Sequence, residues 1–350
     1  MKALLKTYIY GLMRDRKKGP AAGFFKLLLS IAGFFYGFFI RLHGMLYRAN
    51  ILKSHTAGVP VISVGNITLG GTGKTPFTLM LARHFSEKGK KIGVLIRGYG
   101  EDEWKMLEEN LKDTGAQVFV GRDRVEQASI ALKKQKDIII LDDGFQHRRL
   151  KRNLDIVLID AHHPFGNRSM FPKGILREPI DGLKRGDIFI LTKTDAAPDK
   201  RDALTKEIKK ITEGRPVLRA RHAVRDFVDI NGEKKEKRED LKGKIVCLLS
   251  AICDPDYFAH TAASCGLSVG KHFSFPDHYD YRLQDLEKVI KHCERENIEY
   301  IITTEKCAVK LRPIAKSLKS KHKLRVLRIS FEITKGKEEL YAGLDRLLRN

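Results

Sequence analysis

A chain of 350 residues has room for about two domains at roughly 100 to 200 residues each, and its 42% hydrophobic content lets each bury a core, which excludes a disordered tail protein. Lysine and arginine (66) outnumber aspartate and glutamate (43), so the net charge of +23 points to a polyanionic partner: nucleic acid, anionic lipid or a phosphorylated substrate. The five cysteines, at 247, 253, 265, 293 and 307, form no C-x-x-C pair and fit neither a disulfide framework nor a zinc site, so the expectation is a reducing, cytosol-facing protein.

The first element in chain order is Leu27 to Ile40, an uncharged run that extends back to Ala21 with Lys26 as its sole charge and holds six of the eighteen Phe. As a helix its fourteen residues rise roughly 21 Å, short of the ~30 Å hydrocarbon core of a bilayer, so an uninterrupted span needs Lys26 to snorkel. Both flanks are basic: Lys2, Lys6, Arg14, Arg16, Lys17 and Lys18 before the run, Arg41, Arg48 and Lys53 after it. Basic groups on both sides fit a helix that lies in, or dips into, the cytoplasmic leaflet with its flanks on anionic headgroups. Residues 1–53 therefore read as a membrane-anchoring segment, peripheral or monotopic. The competing reading is a buried core helix with Ser30, Gly33 and Gly37 as its small face. A signal peptide fits less well, because no convincing small-residue cleavage site follows Ile40.

From Val59 onward, short β-branched runs alternate with longer helical patterns, the signature of a doubly wound α/β domain with a mostly parallel sheet. The expected strands are 59–64, 91–96, 117–120, 138–141, 156–159, 188–191 and 217–219, most of them nearly all apolar, as strands buried on both faces should be. Residues 54–223 form this core. At 224–242 the chain turns polar, with Asn231-Gly232 as a hairpin turn, and is expected to be a linker ribbon. A smaller α/β unit, 243–350, follows, with strands at 245–249, 271–275, 300–303 and 326–329 and a closing amphipathic helix at 337–348.

Directly after the first strand stands Gly65-Asn66-Ile67-Thr68-Leu69-Gly70-Gly71-Thr72-Gly73-Lys74-Thr75, followed by a helical pattern from Pro76 to Lys88. A Gly-rich turn between a buried strand and a helix aims backbone N–H groups at phosphate oxygens. In this P-loop Gly70, Gly71, Thr72 and Gly73 form the cradle, Lys74 reaches the β- and γ-phosphates, and the Thr75 hydroxyl serves Mg²⁺. The general template places Gly where this chain has Thr68. A P-loop also needs an acid at the end of a neighbouring apolar strand, and Ile138 to Leu141 ends in Asp142-Asp143. Gln146, His147, Arg148 and Arg149 follow, suited either to transferring phosphoryl charge or to anionic lipid. Thr192-Lys193-Thr194-Asp195 resembles the guanine-reading N-K-x-D of GTPases with Thr for Asn, and Asp195 equally fits a helix cap.

With these elements in place the chain resembles the tetraacyldisaccharide 4′-kinase family, the lipid A 4′-kinases of Gram-negative bacteria. The resemblance rests on Val64-Gly65-Asn66 with the loop through Pro76; Arg97-Gly98-Tyr99-Gly100; Leu141 to Leu150; Phe171-Pro172 through Leu176-Arg177-Glu178-Pro179; Phe275-Pro276-Asp277-His278; and Thr303-Thr304-Glu305-Lys306. In that family Thr at position 68 is ordinary. The resemblance implies transfer of the γ-phosphoryl group of ATP, with Mg²⁺, to the 4′-hydroxyl of tetraacyldisaccharide 1-phosphate at the cytoplasmic face of the inner membrane. Carried over by residue, it implies catalytic roles for Lys74, Asp142 and Asp143, metal ligation by Thr75, Asp143 and Glu178, and substrate or phosphate contacts from Arg148, Arg177 and Glu178. It makes Asp102 the group that activates the sugar hydroxyl and His278 its partner from the second unit. The segment before Asp102 is shorter than is usual in the family, Glu101 stands for Gly, and Cys307 stands for Asp.

An Asp hydrogen-bonded to a His is a sound base pair for phosphoryl transfer, which otherwise asks for positioning and charge neutralisation. The rival functions are a membrane-associated P-loop NTPase acting as a switch or in metal delivery, and a nucleic-acid ATPase. The second is disfavoured, and no nucleic-acid partner is expected, because residues 1–53 concentrate ten Lys and Arg against one acid around the Phe-rich run.

Overall fold

The computed structural model describes residues 12–13, 19–98, 100–316 and 322–349, so Lys2, Lys6, Arg14, Arg16, Lys17, Lys18 and the Tyr99 of the second motif lie outside the described residues. The apolar run sits inside α1 (Pro20–Arg48), which Pro20 opens at a position where its missing N–H costs nothing. Its faces differ. Gly33, Gly37 and Gly44 turn toward the protein: a methyl added at Gly44 would stand 2.7 Å from the Arg148 guanidinium, and one at Gly33 3.2 Å from the Met170 carbonyl. The opposite face carries Phe24, Phe34, Phe35, Phe38 and Phe39, each more than half exposed. By length and composition this helix is able to cross a membrane.

Beyond α1 the chain alternates strand and helix: β1 (Val61–Gly65), α2 (Lys74–Glu87), β2 (Ile92–Ile96), α3 (Glu101–Leu111), β3 (Gln117–Val120), α4 (Arg124–Lys133), β4 (Ile138–Asp142), β5 (Leu154–Asp160), β6 (Ile188–Thr192), α5 (Arg201–Ile211) and β7 (Val217–Asp229). Then come β8 (Lys235–Glu236), α6 (Arg238–Leu241), β9 (Ile245–Ser250), α7 (Pro255–Ser264), β10 (Ser268–Ser274), α8 (Leu283–Arg295), β11 (Tyr300–Thr304), α9 (Glu305–Ala315), β12 (Lys323–Lys335) and α10 (Lys337–Arg349). The strands form one sheet in the order β10-β9-β11-β12-β7-β6-β5-β1-β4-β2-β3, with β8 beside β7. Neighbours run parallel except where β7 meets β12 and β8. Both ends of the sheet are thus doubly wound α/β structure, as expected, and an antiparallel pair joins them.

The long pair is where sequence and structure differ most. The strands expected at 217–219 and 326–329 run instead over Val217–Asp229 and Lys323–Lys335. Both alternate apolar with charged residues because one face is partly solvated, so neither shows the unbroken apolar run of a buried strand. Cross-strand charges match: Arg221 to Glu332 at 2.7 Å and Arg328 to Asp226 at 2.5 Å. The first part of the polar stretch expected as linker is therefore strand. The turn at Asn231-Gly232 is present, with the Gly232 N–H donating to the Asp229 carbonyl at 2.9 Å.

The main core is Ile62, Val64, Phe77, Leu81, Phe85 and Ile140 under α2 and α3, and Leu340 and Leu344 of α10 complete it. The amphipathic closing helix, expected to end the smaller unit, packs on the P-loop side of the sheet. A separate core around Leu248, Phe258 and Ile302 fills the other end.

Candidate active site

β1 lies between β4 and β5, so the chain leaves it toward one edge of the sheet and later returns on its other side, which opens a crevice at the strand ends. Register then fixes the chemistry there. Val64 pairs with Asp142, so the acid at the end of β4 stands beside the start of the P-loop. The loop bends through Gly70 (φ 124°) and Gly73 (φ 85°), and α2 begins at Lys74 with no side chain capping its first-turn N–H groups, which leaves them for an anion. Gly73 is required twice over, for its positive φ and because a Cβ there would meet His222 Nε2 at 2.7 Å. Thr68 lies outside the bend. It is buried in a bridge to Leu176, and the adjacent bonds Leu69 N–H to Ile175 O (2.7 Å) and Arg177 N–H to Ile67 O (2.8 Å) extend the backbone, so no glycine is needed.

Around the loop the predicted groups converge. Thr75 Oγ1 donates to Asp142 Oδ2 at 3.2 Å and Thr78 Oγ1 to its Oδ1 at 3.4 Å. Lys74 Nζ is 3.5 Å from Asp143 Oδ1, which also accepts from Arg177 at 2.6 Å. Arg177 further donates to Asn66, whose amide bonds Thr72 Oγ1 at 3.1 Å. The neighbouring acids differ in kind. Burial, helped by Glu103, pushes Asp142 up to about 6. Burial opposes the charge on Asp143 too, yet Lys74 and Arg177 hold it well below the usual carboxylate range.

Glu178 is placed in an adjoining cluster. It is buried, accepting from Gln146 at 2.7 Å and from Arg185 at 2.8 Å, with Arg148 at 3.7 Å. Gln146 links it to the loop through the Asn66 carbonyl at 2.7 Å. Arg148 also donates to the Gly44 carbonyl of α1, and Tyr36 of α1 donates to the Arg177 carbonyl at 2.9 Å, so α1 is hydrogen-bonded to the residues around the P-loop. Arg149 pairs with Asp123 at 2.7 Å, and burial drives His147 down to about 4.

Asp102 and His278, 176 positions apart, meet: His278 Nδ1 lies 3.1 Å from both Asp102 carboxylate oxygens. Asp102 is in the first turn of α3, directly after Gly100 (φ 100°), where a Cβ would collide with Asp102 Oδ1 at 2.7 Å and His278 Nδ1 at 2.9 Å. His278 itself takes a left-handed φ of 61°. The pair stabilises its charged forms. Burial works against the Asp102 carboxylate, but His278, Lys306 and Lys310 hold it below its ordinary range. The hydrogen bond to Asp102 raises His278 against burial and the Lys306 charge.

Sequence reasoning passed over the groups that bind the site together. Glu103, next to Asp102, accepts from Lys306 at 3.0 Å, and Lys306 also reaches Asp277 at 3.0 Å and His278 Nε2 at 3.4 Å. Cys253 donates to Asp277 at 2.6 Å, which with burial pushes its thiol up to about 12, and its Cβ faces Gly71 of the P-loop. Lys306 stands inside the Thr303 to Lys306 motif, but its acidic partners Glu103 and Asp277 are distant in sequence and give no local signal. The Thr192 to Asp195 run does not cap a helix: Lys193 is buried at 2.5 Å from both Asp160 and Asp254, and Asp195 accepts from Tyr257 Oη at 3.0 Å. At the Cys307 position the cap of α9 comes from Thr304 Oγ1, which accepts from the Cys307 N–H at 3.2 Å.

Among known proteins, residues 25–349 match the family described as tetraacyldisaccharide-1-P 4′-kinase. A tetraacyldisaccharide 4′-kinase of Anaeromyxobacter dehalogenans is 35% identical over 331 residues, covering 88% of this chain and 86% of its own. One from Halothermothrix orenii is 32% identical over 343 residues, covering 89% of each. The crystal structure of LpxK from Aquifex aeolicus, in complex with ATP, superposes with a TM-score of 0.71 at 26% identity, covering 92% of this chain and 99% of that one. The likeness read from the motifs therefore extends over nearly the whole chain and its fold.

Proposed function

Because the chain belongs to the tetraacyldisaccharide 4′-kinase family and is an ATP-using kinase of lipid A biosynthesis, we propose that it phosphorylates the 4′-hydroxyl of tetraacyldisaccharide 1-phosphate at the cytoplasmic face of the inner membrane, with Asp102 and His278 activating that hydroxyl. The observation that carries the residue assignment is the 3.1 Å contact of Asp102 with His278, beside a P-loop bearing Lys74, Thr75 and an acid pair. A nucleotide switch has no use for such a base pair, and the family assignment does not favour that reading.

In this reading the first-turn N–H groups of α2 and Lys74 bind the β- and γ-phosphates of ATP. The donor set around Thr75 is hard oxygen, the hydroxyl plus the carboxylates of Asp142 and Asp143, and suits Mg²⁺; bound there, the ion neutralises charge on the phosphates. Arg177, tied to Asp143, stabilises phosphoryl charge, while Glu178 and Arg148 shape the neighbouring wall. Asp102 takes the proton of the sugar hydroxyl as the oxygen attacks the γ-phosphorus and the bond from that phosphorus to the β,γ-bridging oxygen breaks, releasing ADP, while His278 steadies the carboxylate. Residues 243–350 bring His278 to a kinase core formed by 54–223, with the β7–β12 pair as the joint on which the two close. The Phe face of α1 enters the leaflet that holds the acyl chains, and basic residues around it meet anionic headgroups.

The test is transfer of labelled γ-phosphate from ATP to tetraacyldisaccharide 1-phosphate in detergent micelles, with and without Mg²⁺, and with Lys74→Ala as blank. A bisphosphorylated lipid formed only with Mg²⁺ and Lys74 is the expected result. ATP hydrolysis without a lipid product would overturn it.

A further inference from the structure

Lys306 is a cation with several polar partners beside the Asp102–His278 pair. Its ammonium, on the first turn of α9, is 3.0 Å from Glu103 of α3, 3.0 Å from Asp277 and 3.4 Å from His278 Nε2. One nitrogen thus ties α3, which carries Asp102, to the loop that carries His278. The geometry around the ring is specific. Nδ1 faces the Asp102 carboxylate, an acceptor, and Nε2 faces an ammonium, which only donates. Charged groups near the ring include Glu103 at 3.9 Å and Asp277 at 3.6 Å from Nε2, and Lys310, which donates to the His278 carbonyl at 2.8 Å and stands 3.9 Å from Asp102.

We propose that Lys306 is a positioning residue for phosphoryl transfer: by donating to Nε2 while clamped between Glu103 and Asp277, it selects, for the neutral His278 ring, the tautomer with its proton on Nδ1, directed at Asp102. The proposal rests on the kinase reading above. In this tautomer the ring donates to Asp102 and leaves that carboxylate anionic and able to accept the hydroxyl proton. A proton on Nε2 would point at the Lys306 charge, so the ammonium disfavours both the other tautomer and the imidazolium. Without Lys306 the surrounding carboxylates Asp102, Glu103 and Asp277 favour the imidazolium, and a smaller fraction of enzyme holds the active form at a given pH.

The experiment combines kinetics with ring ¹⁵N NMR of histidine-labelled protein, His278→Gln serving to assign the His278 signals. In the wild type at high pH, His278 is expected as the Nδ1–H tautomer. Lys306→Met is expected to lower kcat about 10-fold or more with KM for ATP nearly unchanged. It should also move the acidic limb of the rate profile to higher pH and mix the ring tautomers, while Lys306→Arg restores most of the rate and the limb. Should Lys306→Met not fold, Glu103→Gln/Lys306→Met removes one of the carboxylates left unpaired and takes its place in the NMR test. An Nε2–H tautomer in the wild type, or ring signals and pH limb unchanged in the Met variant, would overturn the proposal. A wild-type enzyme inactive on the lipid disaccharide would overturn the kinase reading, while the ring spectra would still decide the role of Lys306.

Discussion

At the scale of residues, the site works by giving chemically alike groups unlike surroundings. Asp142 and Asp143 are neighbours, yet burial raises one to about 6 and paired cations lower the other. Asp102 and His278 sustain each other's charge, and the sign of that coupling can be tested. His278 is raised above its ordinary 6.5, so its contribution to stability is whole below pH 6.5 and is lost as pH rises through the raised value. Asp102 is lowered below 3.8, so its contribution is present above pH 3.8 and is lost as pH falls through the lowered value. The stability gap between wild type and His278→Gln in urea unfolding should therefore be widest at about pH 4 to 6.5 and shrink toward pH 9; a gap that widened with pH would contradict the pairing. The corresponding kinetic expectation is that Asp102→Ala and His278→Ala each lower kcat by about 10²-fold or more while KM for ATP stays near wild type.

Elements explain which parts of this were legible beforehand. Strand, Gly-rich loop and helix follow one another without a gap, so the P-loop and its acid partner at the end of β4 are local patterns that a sequence displays. Asp102 and His278 could be paired only through family resemblance, since nothing local joins residues 176 positions apart. Lys306, Glu103 and Cys253 stayed silent because their meaning lies in contacts between α3, α9 and the loop ahead of α7. The long strands β7 and β12 were cut short because half-solvated antiparallel strands carry charge, which reads as a linker. α1 is not the buried core helix of the competing reading: Gly33, Gly37 and Gly44 meet the protein, but most of the apolar run is exposed. If its exposed face enters lipid, changing Phe34, Phe35 and Phe38 to Ser should reduce binding to anionic vesicles by at least about 10-fold, each buried Phe being worth roughly 1.5 to 3 kcal/mol. ATP turnover in detergent should change little, and unchanged vesicle sedimentation would refute the assignment.

For the whole molecule, the sheet does not stop between the P-loop side and the His278 side, so cleft and joint belong to one hydrogen-bonded framework. Lys193, bridging Asp160 of β5 and Asp254 ahead of α7, and Lys306, bridging α3 and α9, are ties across that cleft. The core beneath the P-loop is equally composite, since Leu344 of α10 is fully buried in it. Leu344→Ala should cost about 2 to 5 kcal/mol in chemical denaturation, the usual penalty for such a cavity. Nucleotide affinity should weaken with it, although among the described residues the hydrogen-bond and ion-pair partners of Asp142 and Asp143 lie outside α10; a loss under about 1 kcal/mol would show that α10 is not integral to this core.

The placement of α10 also bears on how the protein is made. The P-loop is synthesised well before residues 337–349, yet those residues belong to the layer packed beneath it. A nascent or prematurely terminated chain would carry the whole phosphate motif and an exposed aromatic anchor without the packing that makes the motif rigid. The order of translation thereby ties a firm P-loop to synthesis of α10, so that a fragment lacking this helix would hold the phosphoryl donor poorly.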